Sequence, residues 1–454
     1  MLLRSNSVGN GRITGVQRLM DGGSIPPSST KGDSEKYRSP LVEIMRSAST
    51  LICMTPNMSH PSYDGDLYTD EALLDPYEHY RTLRDLGPAV WLTAHDVYAV
   101  TRYEDVRAVL SDPETFCSGQ GVGLNDLVNQ AGQGSTLMSD GAEHERIRSV
   151  TGSALTAKAV SALRPDGHIR AEAMVDRLLQ QSTFDAVPDL AEVLPTEWVP
   201  DLLGWPEQGR ADLLKWGAAN FDVLGPLNQR AIDATEFAIE GVNFAAWVAS
   251  EELPEGSMAA GILEAAASGV LRPEECPIVL CDYLFPSLDT TVSGLGAAIW
   301  LFATHPDQWD RFRSDPGRAR QAFDEVLRLE TPVTGFTRVA TREAVIGDVK
   351  IPAGACVLVS FASANRDERK WDEPEKFDIN RANASHLAFG YGVHACVGMG
   401  LARLEATEVL SALARRVERF ELVGPPVRKL NNTIRAFSSL PIRIVASPQP
   451  NVIV

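Results

Sequence analysis

Apolar positions along the chain follow distinct rhythms. From 140 to about 330 they recur at the three- and four-residue spacing of packed amphipathic helices. Ahead of that region, Asp75-Pro76-Tyr77 opens a helix expected to reach Leu86, with proline early, where its missing N–H is tolerated. Val90-Trp91-Leu92 and Tyr98-Ala99-Val100-Thr101 read as the arms of a hairpin between Ala89 and Arg102. Strand-like runs return from Val345 to Ser360, with Ile351-Pro352-Ala353-Gly354 as the turn, and at 433–445. Long helices are expected from about Glu274 to Thr304 and from about 397 to 417. No strand–helix alternation is present, which argues against a doubly wound sheet. The expectation is a mainly α fold with small β-sheets, a single domain over 58–454.

Residues 1–57 break this pattern: they are rich in Ser, Gly and Asn and show no amphipathic period. They read as a disordered tail or, more sharply, as a mis-annotated extension. Gly22-Gly23-Ser24-Ile25-Pro26-Pro27-Ser28-Ser29-Thr30 can be encoded by DNA containing GGTTCGATTCC, the T-arm of a transfer RNA, followed by a plausible acceptor stem. The start would then be Met45, Met54 or Met58; the genomic DNA decides.

Composition narrows the class. The 454 residues are 44% hydrophobic and 22% charged, which is globular, not fibrous or wholly disordered. The net charge of −18 makes the chain a poor partner for nucleic acid or an anionic membrane surface. No apolar run is long enough to span a bilayer, and no apolar run follows the N-terminal Arg as in a secretory signal. Six cysteines, at 53, 117, 276, 281, 356 and 396, include no C-x-x-C pair. That points to reduced thiols and a cytoplasmic protein.

The most informative stretch is Phe389-Gly390-Tyr391-Gly392-Val393-His394-Ala395-Cys396-Val397-Gly398. Glycines permit tight turns and deliver one cysteine to the start of a helix. Free N–H groups there stabilise a thiolate. Such a thiolate suits a nucleophile or a single metal ligand; zinc would want more ligands nearby. An isolated cysteine is more often a buried structural thiol. Here the pattern F-G-x-G-x-H-x-C-x-G resembles the heme-binding loop of the cytochromes P450. The resemblance implies the cytochrome P450 fold and a heme b whose iron is bound by Cys396, with Phe389, His394 and Gly398 also at the cofactor.

Further residues fit that resemblance in order. Glu325 and Arg328 share a helix face, and with Arg381 they resemble the structural triad that locks the segment leading into the cysteine loop. His144 and Arg148, four apart on one helical face, together with Arg338 and His386, resemble the cations that hold heme propionates. Phe285-Pro286-Ser287-Leu288-Asp289-Thr290-Thr291 resembles the oxygen-activating segment, with Asp289 relaying protons and Thr290 holding oxygen. It departs from the family, which usually has Ala-Gly where Pro286-Ser287 stand. Pro286 cannot donate to the Asp282 carbonyl, so a kink is expected.

By the same resemblance, Gln120, Val122, Leu124, Phe221, Leu224, Phe285, Leu288, Val333, Phe336 and Phe437 line the substrate pocket. They are mostly apolar, which suits a small aromatic substrate. The chain resembles bacterial P450s that oxidise para-substituted benzoates, in Phe116-Cys117-Ser118, Gly121-Val122-Gly123-Leu124, Asn365-Arg366-Asp367 and Asn431-Asn432-Thr433-Ile434-Arg435 with Leu440-Pro441. Where that subgroup has arginine and Arg-Ser to hold a carboxylate, this chain has Gln120 and Leu280-Cys281. A neutral substrate such as a methoxyphenol follows, with Gln120 as a hydrogen-bonding group. The resemblance further implies a monomer that uses O2 and takes electrons from a [2Fe-2S] ferredoxin and its reductase. The docking face is expected around His394, Arg146, Arg148 and Arg403. The alternatives are a peroxide-driven heme enzyme, against which the intact Asp289-Thr290 pair stands, and a non-catalytic heme protein.

Overall fold

The computed structural model describes residues 60–382 and 385–447. The expectations on residues 1–57 lie outside them. Seven helices position the site: α1 (Gly141–Ser153), α2 (Leu213–Val223), α3 (Gln229–Val248), α4 (Cys276–Leu284), α5 (Asp289–Thr304), α6 (Ala319–Leu329) and α7 (Met399–Arg416). The first helix and the hairpin form as expected: Tyr77–Leu86 is helical, and Val90–Leu92 pairs antiparallel with Val97–Val100. These strands belong to a six-stranded sheet ordered Ser62–Tyr63, Val90–Leu92, Val97–Val100, Cys356–Ser360, Gly335–Ala340, Phe116–Cys117. A three-stranded sheet joins Val417–Leu422, Pro441–Ala446 and Phe184–Asp185. Val427–Lys429 and Ala436–Ser439 form a separate antiparallel pair.

Helix α5 runs through the main core. Its Leu295, Ile299 and Phe302 are buried with Phe323, Val326 and Leu327 of α6 and Leu404, Val409 and Leu413 of α7. Each such side chain contributes roughly 1.5–3 kcal/mol by leaving water. Gly294 permits the close approach of α6, since a Cβ there would lie 2.9 Å from the Phe323 ring. A second core unites α2, α3 and α4 through Trp216, Phe244, Val248, Val279, Leu280 and Leu284.

One expected element is divided. The long helix over 274–304 is two helices, α4 and α5, with residues 285–288 between them. Pro286 is the cause, because it has no N–H for the Asp282 carbonyl and its ring crowds the preceding turn. The break is stabilised from below: the Thr290 hydroxyl donates to the Pro286 carbonyl at 2.8 Å.

Candidate active site around the Cys396 loop

The loop before α7 is built on two left-handed glycines, Gly390 (φ 68°) and Gly392 (φ 73°). Cys396 N–H donates to the Phe389 carbonyl at 2.8 Å, and Ala395 N–H to the Gly392 carbonyl at 3.1 Å. Cys396 is exposed, whereas Cys117, Cys276 and Cys281 are buried. Its surroundings nonetheless raise the thiol pKa by burial, against the opposing pull of the Gly398 and Met399 N–H groups and the Arg148 and Arg403 cations. Cys396 thus retains accessible surface while its thiol is enclosed at the N-terminus of α7, where N–H groups stabilise a thiolate.

The glycines supply a graded test. A Cβ on Gly392 would lie 2.3 Å from the Leu110 carbonyl, whereas one on Gly390 would meet nothing nearer than the His394 carbonyl at 3.7 Å. Gly390→Ala should therefore cost about 1–2 kcal/mol, the backbone strain alone. Gly392→Ala should cost that plus an overlap of about 1–3 kcal/mol. Denaturant midpoints check this, and equal losses in the two variants would contradict it.

Beside this loop lie buried donors with unfilled hydrogen-bonding capacity. His144 and His394 rings stand 4.2 Å apart, and the Nε2 atoms of both are buried with no hydrogen-bond partner. His394 Nε2 is 3.9 Å from Asp140 Oδ1, beyond bonding range. Burial, and then the neighbouring His394 and Arg148, push the His144 pKa down to about 4. Arg338 is 4% exposed and donates to the carbonyl of its neighbour Thr337 at 2.7 Å. Burial lowers its pKa to about 10. Arg148 donates to the Ala395 carbonyl within the cysteine loop.

His386 departs from expectation. Its Nε2 lies 3.3 Å from Asp324 Oδ1 of α6, which also accepts from Arg403 Nε at 2.8 Å, although, like those of His144 and His394, it has no well-formed hydrogen bond. Two of the expected docking cations are committed to ion pairs. Arg146 is bonded to both Glu143 and Glu275, and Arg403 to Asp324.

The triad assembles as expected. Arg328 Nε and Nη2 donate to Glu325 Oε2 and Oε1 at 2.8 and 2.9 Å, and Arg381 Nε donates to Oε1 at 3.0 Å. On the other side of the core, Asp289 is 3% exposed. Its Oδ1 is 3.3 Å from Lys429 Nζ, and its Oδ2 has no partner. Burial raises its pKa and Lys429 opposes this. Lys429 reaches it from the Val427–Lys429 strand, a partner that sequence spacing does not reveal.

Part of the expected pocket gathers. Phe221, Leu224, Val333 and Phe336 form one apolar cluster with Ile434 and Ala436. Leu124 N–H donates to the Leu224 carbonyl at 2.9 Å and Thr337 N–H to the Val122 carbonyl at 2.8 Å, which pins the 122–124 loop beside that cluster. Three expected members point elsewhere. Phe437 lies in the main core, with the Arg428 guanidinium 3.8 Å from its ring centre. A strand alternates faces, so Ala436 in the pocket cluster sends Phe437 the other way. Phe285 packs against Gly241 and Trp216, and Leu288 is buried with Val279 and Leu284; both extend the apolar stripe of α4 beneath α2 and α3. Gln120 is exposed, as expected of an amide in a loop.

An exposed cysteine flanked by buried donors whose Nε2 atoms lack hydrogen-bond partners is an arrangement that suits a single-cysteine metal cofactor carrying acidic side groups. The sequence pattern of the family described as Cytochrome P450 matches residues 262–446. The chain is 39% identical over 412 residues to "Cytochrome p450 CYP199A2" of Rhodopseudomonas palustris, covering 88% of this chain and 99% of that protein. It is 30% identical to "6-deoxyerythronolide B hydroxylase" of Saccharopolyspora erythraea, covering 84% of this chain and 98% of that one. Among solved structures it is similar to cytochrome P450 CYP109Q5 from Chondromyces apiculatus, with a TM-score of 0.73, 28% identity, and coverage of 85% of this chain and 99% of that one. The chain belongs to the cytochrome P450 family, whose members carry heme iron and are oxidoreductases. Heme fits the residues present: its propionates would satisfy the orphaned Nε2 atoms and Arg338. Among the described residues no helix is long and apolar enough to cross a membrane.

Proposed function

We propose that the protein is a monooxygenase that inserts one atom of O2 into a small neutral aromatic substrate, by hydroxylation or O-demethylation. Cys396 would be the iron ligand, and His144, Arg148, Arg338 and His394 would hold the propionates, with Phe389 and Gly398 shaping the loop. Bound this way, the heme supplies thiolate-supported cleavage of the O–O bond. The observation that carries the reading is the exposed Cys396 beside the buried Nε2 atoms of His144 and His394, which have no hydrogen-bond partner. The relative named as a hydroxylase supports oxygen insertion.

The remaining work falls to the chain's own side chains. Asp289 would relay protons, bridging the partly exposed Lys429 on one side and adjoining Thr290 on the other. Thr290, oriented by its bond to the Pro286 carbonyl, would position a proton donor at the distal face. The cluster of Phe221, Leu224, Val333 and Phe336 would exclude water and hold an aromatic ring. Electrons would come from a [2Fe-2S] ferredoxin and its reductase, and the protein would work as a cytoplasmic monomer.

The test compares NADH-driven turnover, using a surrogate ferredoxin and reductase, with peroxide alone. Product formation that needs NADH and O2 is expected, and product with peroxide alone would overturn the reading. In Cys396→Ala, the long-wavelength Soret band that thiolate ligation gives the ferrous–CO complex should vanish. Persistence of that band would remove Cys396 from its role.

A further inference from the structure

Asp282 lies one turn before the break in the distal helix. Across the break the four-residue step persists, with Phe285 N–H donating to the Cys281 carbonyl at 3.1 Å and the Thr290 hydroxyl to the Pro286 carbonyl at 2.8 Å, so Asp282, Pro286 and Thr290 lie on one side of the segment. All three retain accessible surface, whereas Val279, Leu280, Cys281, Tyr283, Leu284, Leu288 and Asp289 around them are buried. One carboxylate oxygen of Asp282 is fully occupied: Oδ2 accepts from Thr136 N–H at 2.8 Å and from the Thr136 hydroxyl at 2.6 Å. Oδ1 has no hydrogen-bond partner among the described residues. Arg148, which donates to the cysteine loop, is near enough for the charges of both Cys396 and Asp282 to act on it. Asp282 therefore stands on the side of the distal helix that bears Thr290, within electrostatic range of the heme-loop arginine. Burial raises its carboxyl pKa to about 6, while the Thr136 donors and the Arg148 charge favour the carboxylate form.

We infer that Asp282 is the polar anchor of the substrate pocket: Oδ1 accepts a hydrogen bond from a hydroxyl of the aromatic substrate, and its charge turns aromatic carboxylates away. This rests on the aromatic monooxygenase reading above and replaces Gln120, which is exposed. Thr136 fixes the carboxylate in place, so the free oxygen is already oriented before the substrate arrives. A neutral donor bonded to an ionised acceptor is stronger than a neutral pair. A carboxylate at the same point would meet a buried like charge.

The test is a Soret spectral-shift titration of the heme-loaded full chain with three probes: 4-methoxyphenol, 1,4-dimethoxybenzene, which is the same ring with the hydroxyl capped, and 4-methoxybenzoate. In the wild type, the phenol should bind about tenfold tighter than the diether, in keeping with a charged hydrogen bond, and the benzoate should give no shift. Asp282→Asn retains an acceptor for Thr136 but presents an N–H to the pocket. It should weaken the phenol about tenfold, leave the diether unchanged and admit the benzoate. Equal affinity for phenol and diether in the wild type would overturn the anchor while leaving the aromatic reading intact; that comparison decides even if the variant retains no heme. Uniform weakening of all probes by Asp282→Asn would mark a packing role and overturn it too. No shift with any of the three would overturn both the aromatic reading and the anchor.

Discussion

Arg328→Ala is expected to destabilise the protein by about 3–5 kcal/mol, the usual cost of removing one partner from a buried ion pair. Arg328 and Glu325 are each 0% exposed, so neither can exchange its partner for water. The effect reaches beyond the pair. Arg328 Nη1 also donates to the carbonyls of Asn365 and Pro374, both at 2.8 Å, and Nη2 to that of Lys376 at 3.2 Å. Arg381 adds bonds to the carbonyls of Asp372 at 2.6 Å and Glu373 at 3.0 Å. The triad thus ties the irregular chain over 365–381 to α6 through these carbonyls and the Asp378 N–H, beside that chain's own turn bonds, and the chain leads into the Cys396 loop. Arg328→Lys should recover little, because one ammonium cannot serve a carboxylate and three carbonyls in a plane. The readouts are the denaturation midpoint and heme retained per chain after purification. Native-like stability in Arg328→Ala would show that the network is not what holds the segment.

Much of this arrangement was legible in the sequence wherever the signal is local. The 77–86 helix, the 90–100 hairpin and the glycine-hinged cysteine loop each follow from short-range turn chemistry and periodicity, and each is present. Glu325 and Arg328 meet because three residues along a helix bring them to one face. The distal break was also signalled locally, by Pro286. What escaped is long-range pairing. Glu330 sits among Arg366, Arg428 and Arg435, at 3.0, 2.8 and 3.1 Å, and they hold its pKa down to about 2; nothing in the spacing joins these four residues. His386 is drawn to Asp324 for the same reason: two residues far apart in sequence meet only once the fold exists. The pocket erred by parity. A resemblance can bring the 436–438 hairpin to the site, but which of Ala436 and Phe437 faces inward depends on a register that only the assembled sheet sets. Asp282 drew attention for its carbonyl, while its side chain, tied to Thr136 across 146 positions, carries the more consequential geometry.

Glu405→Gln is expected to change how stability depends on pH. Glu405 is 1% exposed on α7, and its Oε2 has no hydrogen-bond partner. Burial alone raises its carboxyl pKa from the ordinary 4.5 to about 8. The folded chain therefore keeps this proton over the window in which the unfolded chain releases it. Where the native state binds more protons, stability falls as pH rises. The penalty is absent below about 4.5, grows between 4.5 and 8, and is complete above 8. A separation of this size corresponds to about 4–5 kcal/mol at its full extent. Glutamine keeps the shape and cannot ionise, so it escapes the penalty. Below pH 5 the two proteins should unfold at nearly the same denaturant concentration. The variant should then pull ahead steadily, and by pH 8 it should be the more stable by several kcal/mol. Other buried acids, such as Asp222 and Asp282, titrate in both proteins and drop out of the difference. Parallel stability curves for the two proteins from pH 5 to 8 would show that Glu405 is ionised, and therefore partnered, in the folded chain.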